Sequence, residues 1–144
     1  VRDQSGSKGV GVIGMCLTGN FAIQLIGDES VLAAVASQPA MPFFNQGALH
    51  MSPADVDRSR NALDSKGPMR MLRFEADPLC TKEKSECIHP AFNNDGIQRV
   101  EEITLPGKGH SVLTLDFVDE AGHPTRGALD NVIQYFDRKL KTFA

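Results

Sequence analysis

Four short apolar runs recur along this chain, and the helical-period segments that follow them limit how it can fold more than any other feature. Residues 10–13 are β-branched and bordered by glycine within Gly9-Val10-Gly11-Val12-Ile13-Gly14, which reads as a buried strand. Apolar side chains then fall at Leu17, Phe21, Ala22, Leu25 and Ile26, the spacing of one helix face, with Gly27 placed as the C′ residue. The run from Val31 to Ser37 stops at Gln38-Pro39, as expected of a strand buried on both faces. Residues 69–76, interrupted by Arg70, Arg73 and Glu75, and residues 100–105 supply a third and a fourth strand.

The intervening segments carry helix signals. Ser52-Pro53-Ala54-Asp55 combines an N-cap, a proline at N1 and an acid in the first turn, and it opens a polar helix that Gly67-Pro68 stops. A helix with a charged face is expected over 81–88. Over 126–140 the residues Leu129, Val132, Ile133, Phe136 and Leu140 share one face, opposite Asp130, Gln134, Asp137, Arg138 and Lys141. Residues 41–49 are rich in Pro, Phe, Asn and Gly and read as a surface loop. The order β-α-β-α-β-α-β-α, without repeat or linker, predicts a single α/β domain over 1–144. Its sheet is parallel with flanking helices, because each right-handed crossover returns over the sheet.

Composition narrows the function classes. At 144 residues and 41% hydrophobic content the chain can bury a real core, roughly two thirds of its unfolded surface. No apolar stretch approaches the ~20 residues of a membrane-spanning helix. A net charge of −3, with lysines and arginines scattered, argues against nucleic acid and anionic lipid as partners. The chain opens without Met and without a charged region followed by an apolar one, so residue 1 reads as a cut or processed end. Three cysteines, an odd number, point to free thiols in a reducing, cytoplasmic setting. Cys80 and Cys87 have the spacing of neither a zinc knuckle nor a redox C-x-x-C pair, and no metal or other cofactor is expected.

Gly9-Val10-Gly11-Val12-Ile13-Gly14 has the letters of a dinucleotide-binding G-x-G-x-x-G. That loop must follow a strand and open a helix, whereas here the glycines enclose the strand itself and residues 3–8 before them are polar. The next strand also ends in Ser37-Gln38, without a carboxylate for a ribose. A second reading starts at Gly14-Met15-Cys16-Leu17-Thr18-Gly19, where strand turns directly into helix. This is the pattern of a nucleophile elbow with sulfur in place of oxygen. Small residues around the nucleophile relieve the tight turn, the positive end of the helix favours thiolate, and the Leu17 N–H is placed as an oxyanion donor. The plain alternative for Cys16 is a small buried residue at a strand end.

Elbow hydrolases carry nucleophile, acid and histidine in that chain order. Asp77 follows the third strand, and Pro78 after it keeps Asp77 out of helix. Glu75 is the rival acid. His110 follows the fourth strand in the glycine-bordered loop Pro106-Gly107-Lys108-Gly109-His110. His50, His89 and His123 are expected to be surface residues.

With these segments quoted, the chain resembles the dienelactone hydrolase family of the α/β-hydrolase fold, over nearly its whole length. The resemblance implies Cys16 as nucleophile, Asp77 as acid and His110 as base, acting through an acyl-enzyme on a small ester or lactone. It departs from the family at three points. Thr18 stands where the simplest elbow has glycine. Position 114, an arginine in lactone-cleaving members, is Thr114. Members also exceed 200 residues, roughly, and the first half of their sheet precedes the elbow. The chain is therefore expected to form the C-terminal half of such a fold, with residues 10–13 as an exposed apolar edge open to self-association. A noncatalytic α/β module that acts through protein contacts is the alternative.

Overall fold

The structure, a computed structural model, describes residues 8–41 and 45–141 in full, and residue 142 by its backbone. Pro42, Phe43 and Phe44 of the expected surface loop, and the polar residues 3–7, lie outside the described residues. Eight elements alternate: β1 (Val10–Met15), α1 (Leu17–Leu25), β2 (Val31–Ser37), α2 (Pro53–Lys66), β3 (Met69–Phe74), α3 (Lys82–Phe92), β4 (Val100–Leu105) and α4 (Pro124–Thr142). All strand pairs are parallel and the strands lie in chain order, β1-β2-β3-β4. The α/β class, with a parallel sheet and flanking helices, is therefore the observed one.

Alternating strand residues feed two cores. Ala34, Ala36, Met69 and Met71 face one side and pack with Ile23 of α1, Ile26 at its C-cap, Leu63 of α2, and Ile88 and Phe92 of α3. Ala33, Val35, Leu72 and Phe74 face the other and pack with Val112 and with Ala128, Val132 and Tyr135 of α4. Small residues in β2 let helices approach from both sides. On β1, a side chain at Gly11 would meet the Phe136 ring, because a Cβ there would stand 2.6 Å from it. The second glycine of the G-x-G-x-x-G letters thus serves strand–helix packing, while a Cβ at the first, Gly9, would meet Leu32 and the Ser30 carbonyl.

Helix boundaries follow local chemistry. Ser52 Oγ accepts the Asp55 N–H at 3.1 Å, and Gly67, at φ 75, ends α2. Gly27 does occupy the C′ position of α1, but its backbone is not left-handed; the Arg58 stem packs where its side chain would be. The third strand ends at Phe74, two residues before the expected limit, because the chain turns at Asp77 N–H to Phe74 O. The expected helix over 81–88 runs on through Pro90 to Phe92. Buried Ile88 and Phe92 anchor it, and Asn93 stitches its end to β4. The Asn93 Oδ1 accepts the N–H groups of Arg99 and Val100 while its amide donates to Val100 O.

Among the described residues, β1 is paired on one side only. Ile13 is 42% exposed, and Leu17, Phe21 and Leu25 form an exposed stripe on α1, the helix packed against β1 and β2. The expected apolar edge is present. No described helix is long and apolar enough to cross a membrane.

At the opposite edge, His89 is no simple surface residue. The Asn93 amide donates to its Nδ1, so its Nε2 carries the proton and donates to Glu102 at 2.9 Å. Ser85 and Thr104 hydroxyls donate to the same carboxylate. Burial alone would raise the Glu102 pKa, but these hydrogen bonds outweigh it and hold the group at about 2. A carboxyl held below its unfolded value stabilises the fold above about pH 4.5, and that stability disappears as pH falls toward 2. Glu102→Gln is expected to flatten the loss of urea stability between pH 5 and 2 by a few kcal/mol, at ~1.4 kcal/mol per pKa unit. Parallel pH profiles for the two proteins would contradict this.

Candidate active site

β1 passes into α1 with only Cys16 between them. Cys16 lies at φ 53 and ψ −120, a conformation in which an L-residue costs about 1–3 kcal/mol and persists only where its surroundings enforce it. Here several bonds do so. The Cys16 N–H donates to Ser37 O at 3.1 Å, and the Cys16 carbonyl accepts the N–H groups of Gly19 and Ala40 at 3.0 and 3.1 Å. A side chain at Gly14 is excluded because its Cβ would lie 2.1 Å from Thr18 O, and one at Gly19 would press on Pro39 at 2.9 Å.

These contacts account for the Thr18 departure. The small residue is required at Gly19, against Pro39, while the Thr18 hydroxyl turns back to Met15. It accepts the Met15 N–H at 2.9 Å and donates to the Met15 carbonyl at 2.8 Å. Leu17 is the first residue of α1, so its N–H has no intrahelical partner. The Cys16 side chain is half-buried against the α1-side core.

Asp77 and His110 meet across 33 residues of sequence. Pro78 and the turn after β3 place the Asp77 carboxylate where its Oδ1 accepts the N–H groups of Leu79 and Cys80, both at 2.8 Å. The His110 Nδ1 lies 2.9 Å from Oδ1 and 3.0 Å from Oδ2. A carboxylate in that position only accepts, so Nδ1 carries the proton and Nε2 presents its lone pair. The Asp77 side chain is fully buried, and Nε2 is buried without a hydrogen-bond partner among the described residues.

The rival acid is engaged elsewhere, since Glu75 Oε1 accepts the Gly107 N–H at 2.8 Å. Because the strands are parallel and adjacent, Cys16, Asp77 and His110 all follow C-terminal strand ends on one edge of the sheet. Asp77 and His110 are in contact. No hydrogen bond joins the Cys16 thiol to the imidazole among the described residues.

The other two thiols are free but chemically quiet. Burial, and then the Asp77 charge, push Cys80 up to about 12, and burial raises Cys87. Among the described residues no three His, Cys, Asp or Glu side chains are grouped to hold a metal.

Two supports were not legible beforehand. Arg73, 5% exposed, donates to Cys80 O and Glu75 O and so braces both shoulders of the Asp77 turn. Asp116 accepts the backbone N–H of His110. An arginine inside an otherwise apolar strand was the available signal for the first, and nothing in the spacing marked the second.

Chemically, the edge offers a sulfur at a strained strand–helix turn, a backbone donor beside it, and an imidazole with one proton fixed and one lone pair free. Comparison with solved structures finds the same fold in other proteins. A Klebsiella pneumoniae protein classed as a dienelactone hydrolase superposes with a TM-score of 0.64 at 15% identity, over 89% of this chain and 51% of its own. An esterase of Pyrococcus furiosus gives 0.64 at 16% identity, over 96% of this chain and 57% of its own, and a second crystal form gives 0.63 at 18%. The chain spans little more than half the length of these structures, and the likeness at such identities is one of fold. Comparison with individually curated proteins gives no match. The model of the dienelactone hydrolase family matches residues 1–139. On that match, and on a fold and strand–cysteine–helix turn that agree with it, the chain belongs to the dienelactone hydrolase family.

Proposed function

We propose that the chain carries the reacting groups of a hydrolase that cleaves small carboxylic esters or lactones through a cysteinyl acyl-enzyme. The observation that carries this reading is the Asp77–His110 pair, with its free buried Nε2, on the sheet edge where Cys16 occupies a strained turn. Hydrogen bonds in such sites are often loose until substrate is bound, so the separate thiol and ring fit a resting state.

In the proposed reaction His110 Nε2 takes the Cys16 proton as sulfur bonds to the carbonyl carbon, and the Leu17 N–H donates to the developing oxyanion. Asp77 keeps Nδ1 protonated and supports the imidazolium. Collapse of the tetrahedral intermediate breaks the bond to the alkoxy oxygen, which receives the proton from His110, and leaves a thioester on Cys16. Water then adds to that carbonyl while His110 takes its proton, and the acid leaves as the thiol is restored. Thr114 supplies no cation, which points away from substrates held by a second carboxylate. Three free thiols suit a reducing compartment, and we place the chain in the cytoplasm on that ground.

Iodoacetamide at pH 6, read by peptide mass spectrometry, is expected to alkylate Cys16 faster than Cys80, Cys87 or free cysteine, and His110→Ala is expected to slow it. A Cys16 no faster than free cysteine would overturn the reading and favour a noncatalytic module.

The second oxyanion donor and the far wall of a substrate site are proposed to come from structure beyond β1, since the solved relatives are nearly twice as long. The 144-residue chain alone is then expected to hydrolyse p-nitrophenyl acetate about 10²–10³-fold more slowly than an intact family enzyme, the cost of one missing oxyanion donor. Equal rates would sink that view.

The apolar β1 edge, with the exposed Leu17, Phe21 and Leu25 stripe of the α1 helix packed on it, is proposed to meet further chain or a second copy. Phe21→Glu with Leu25→Glu is expected to lower the sedimentation-measured mass of any assembly without lowering the melting temperature. An unchanged assembly would show that the contact lies elsewhere.

A further inference from the structure

His110 stands in a segment with no regular structure, so something other than a strand or helix must fix its backbone. After β4 the chain turns at Gly107, with φ 93, and reaches His110 through irregular geometry. Each residue held in one conformation there costs conformational entropy. The restraint comes from Asp116. Its Oδ2 accepts the N–H groups of both His110 and Ser111 at 2.8 Å. The Asp116 N–H returns to Ser111 O at 3.1 Å, and Thr114 N–H also donates to that oxygen. The two backbone donors hold the Asp116 carboxyl below its ordinary range.

Asp116 itself is exposed, whereas the His110 side chain is 17% exposed. The imidazole is therefore held at two points, its backbone by Asp116 and its Nδ1 by Asp77.

We propose that Asp116 is a positioning residue for His110, whose side-chain oxygen clamps two adjacent backbone N–H groups so that the ring keeps Nδ1 on Asp77 and turns Nε2 to the sheet edge. The clamp requires an acceptor of this length; its effect on turnover rests on the hydrolase reading above, and its effect on the ring does not. A displaced base costs catalysis heavily, since misplacement by about 1 Å can cost 10²-fold.

The test uses the chain with Asp116→Ala and Asp116→Asn and reads the imidazole tautomer by nitrogen-15 NMR of labelled histidine, alongside ester turnover. The Nδ1–H tautomer is expected to dominate in the parent chain and in D116N, and to give way to a mixture in D116A. In the same series kcat is expected to fall about 10–100-fold in D116A with KM little changed, and to recover in D116N. Should D116A lose its circular dichroism, Asp116→Ser, too short to span both N–H groups, takes its place. A ring in folded D116A, or in its serine substitute, as fixed as the parent's, or a parent ring that already averages both tautomers, overturns the proposal. Absence of turnover in every protein with the tautomer shift intact would count against the hydrolase reading and leave the clamp standing.

Discussion

The left-handed backbone of Cys16 is the constraint around which the rest of this structure is arranged. Such a conformation is unfavourable by itself, and it survives because three separate pieces of chain hold it: the end of β2 through Ser37 O, the first turn of α1 through Gly19, and the loop after β2 through Ala40. The first and the last of these depend on the parallel pairing of β1 with β2, which sets the two strand ends level, Met15 beside Ser37. A shift in register would remove the acceptor for the Cys16 N–H and let the turn relax.

The same parallel order explains why residues far apart in sequence share a neighbourhood. Every strand delivers its following loop to one edge, so chemistry gathers there without any contact between the segments in sequence. What the sheet does not supply is orientation. That comes from short-range devices: Pro78 and two backbone donors for the Asp77 carboxylate, Arg73 across the turn, and Asp116 under His110. Position is global here and aim is local.

This division also decides what could be read from the chain beforehand. The strands, the elbow and the Asp-Pro turn announce themselves through β-branched runs, glycines and proline, each tied to a local backbone preference. The continuation of α3 past Pro90 did not, because what sustains it is burial of Phe92 and the Asn93 links to β4, both tertiary. His89 looked like a surface residue for the same reason: its partner Glu102 lies on a neighbouring strand. Asp116 is invisible in spacing, since a carboxylate that caps a loop has no periodicity. The G-x-G-x-x-G letters illustrate the reverse case, a pattern whose meaning changes with context; its glycines meet Phe136 and the Thr18 carbonyl in place of a phosphate.

The contact between Gly11 and Phe136 has a bearing on how the protein is made. β1 leaves the ribosome before the other seven described elements, and the helix that covers that glycine is the last of the eight. During synthesis one side of the nascent β1–β2 pair therefore stays bare until α4 emerges, a period in which a holdase chaperone or a neighbouring nascent chain could occupy it. Closure of that face of the sheet therefore waits on the last of the eight described elements.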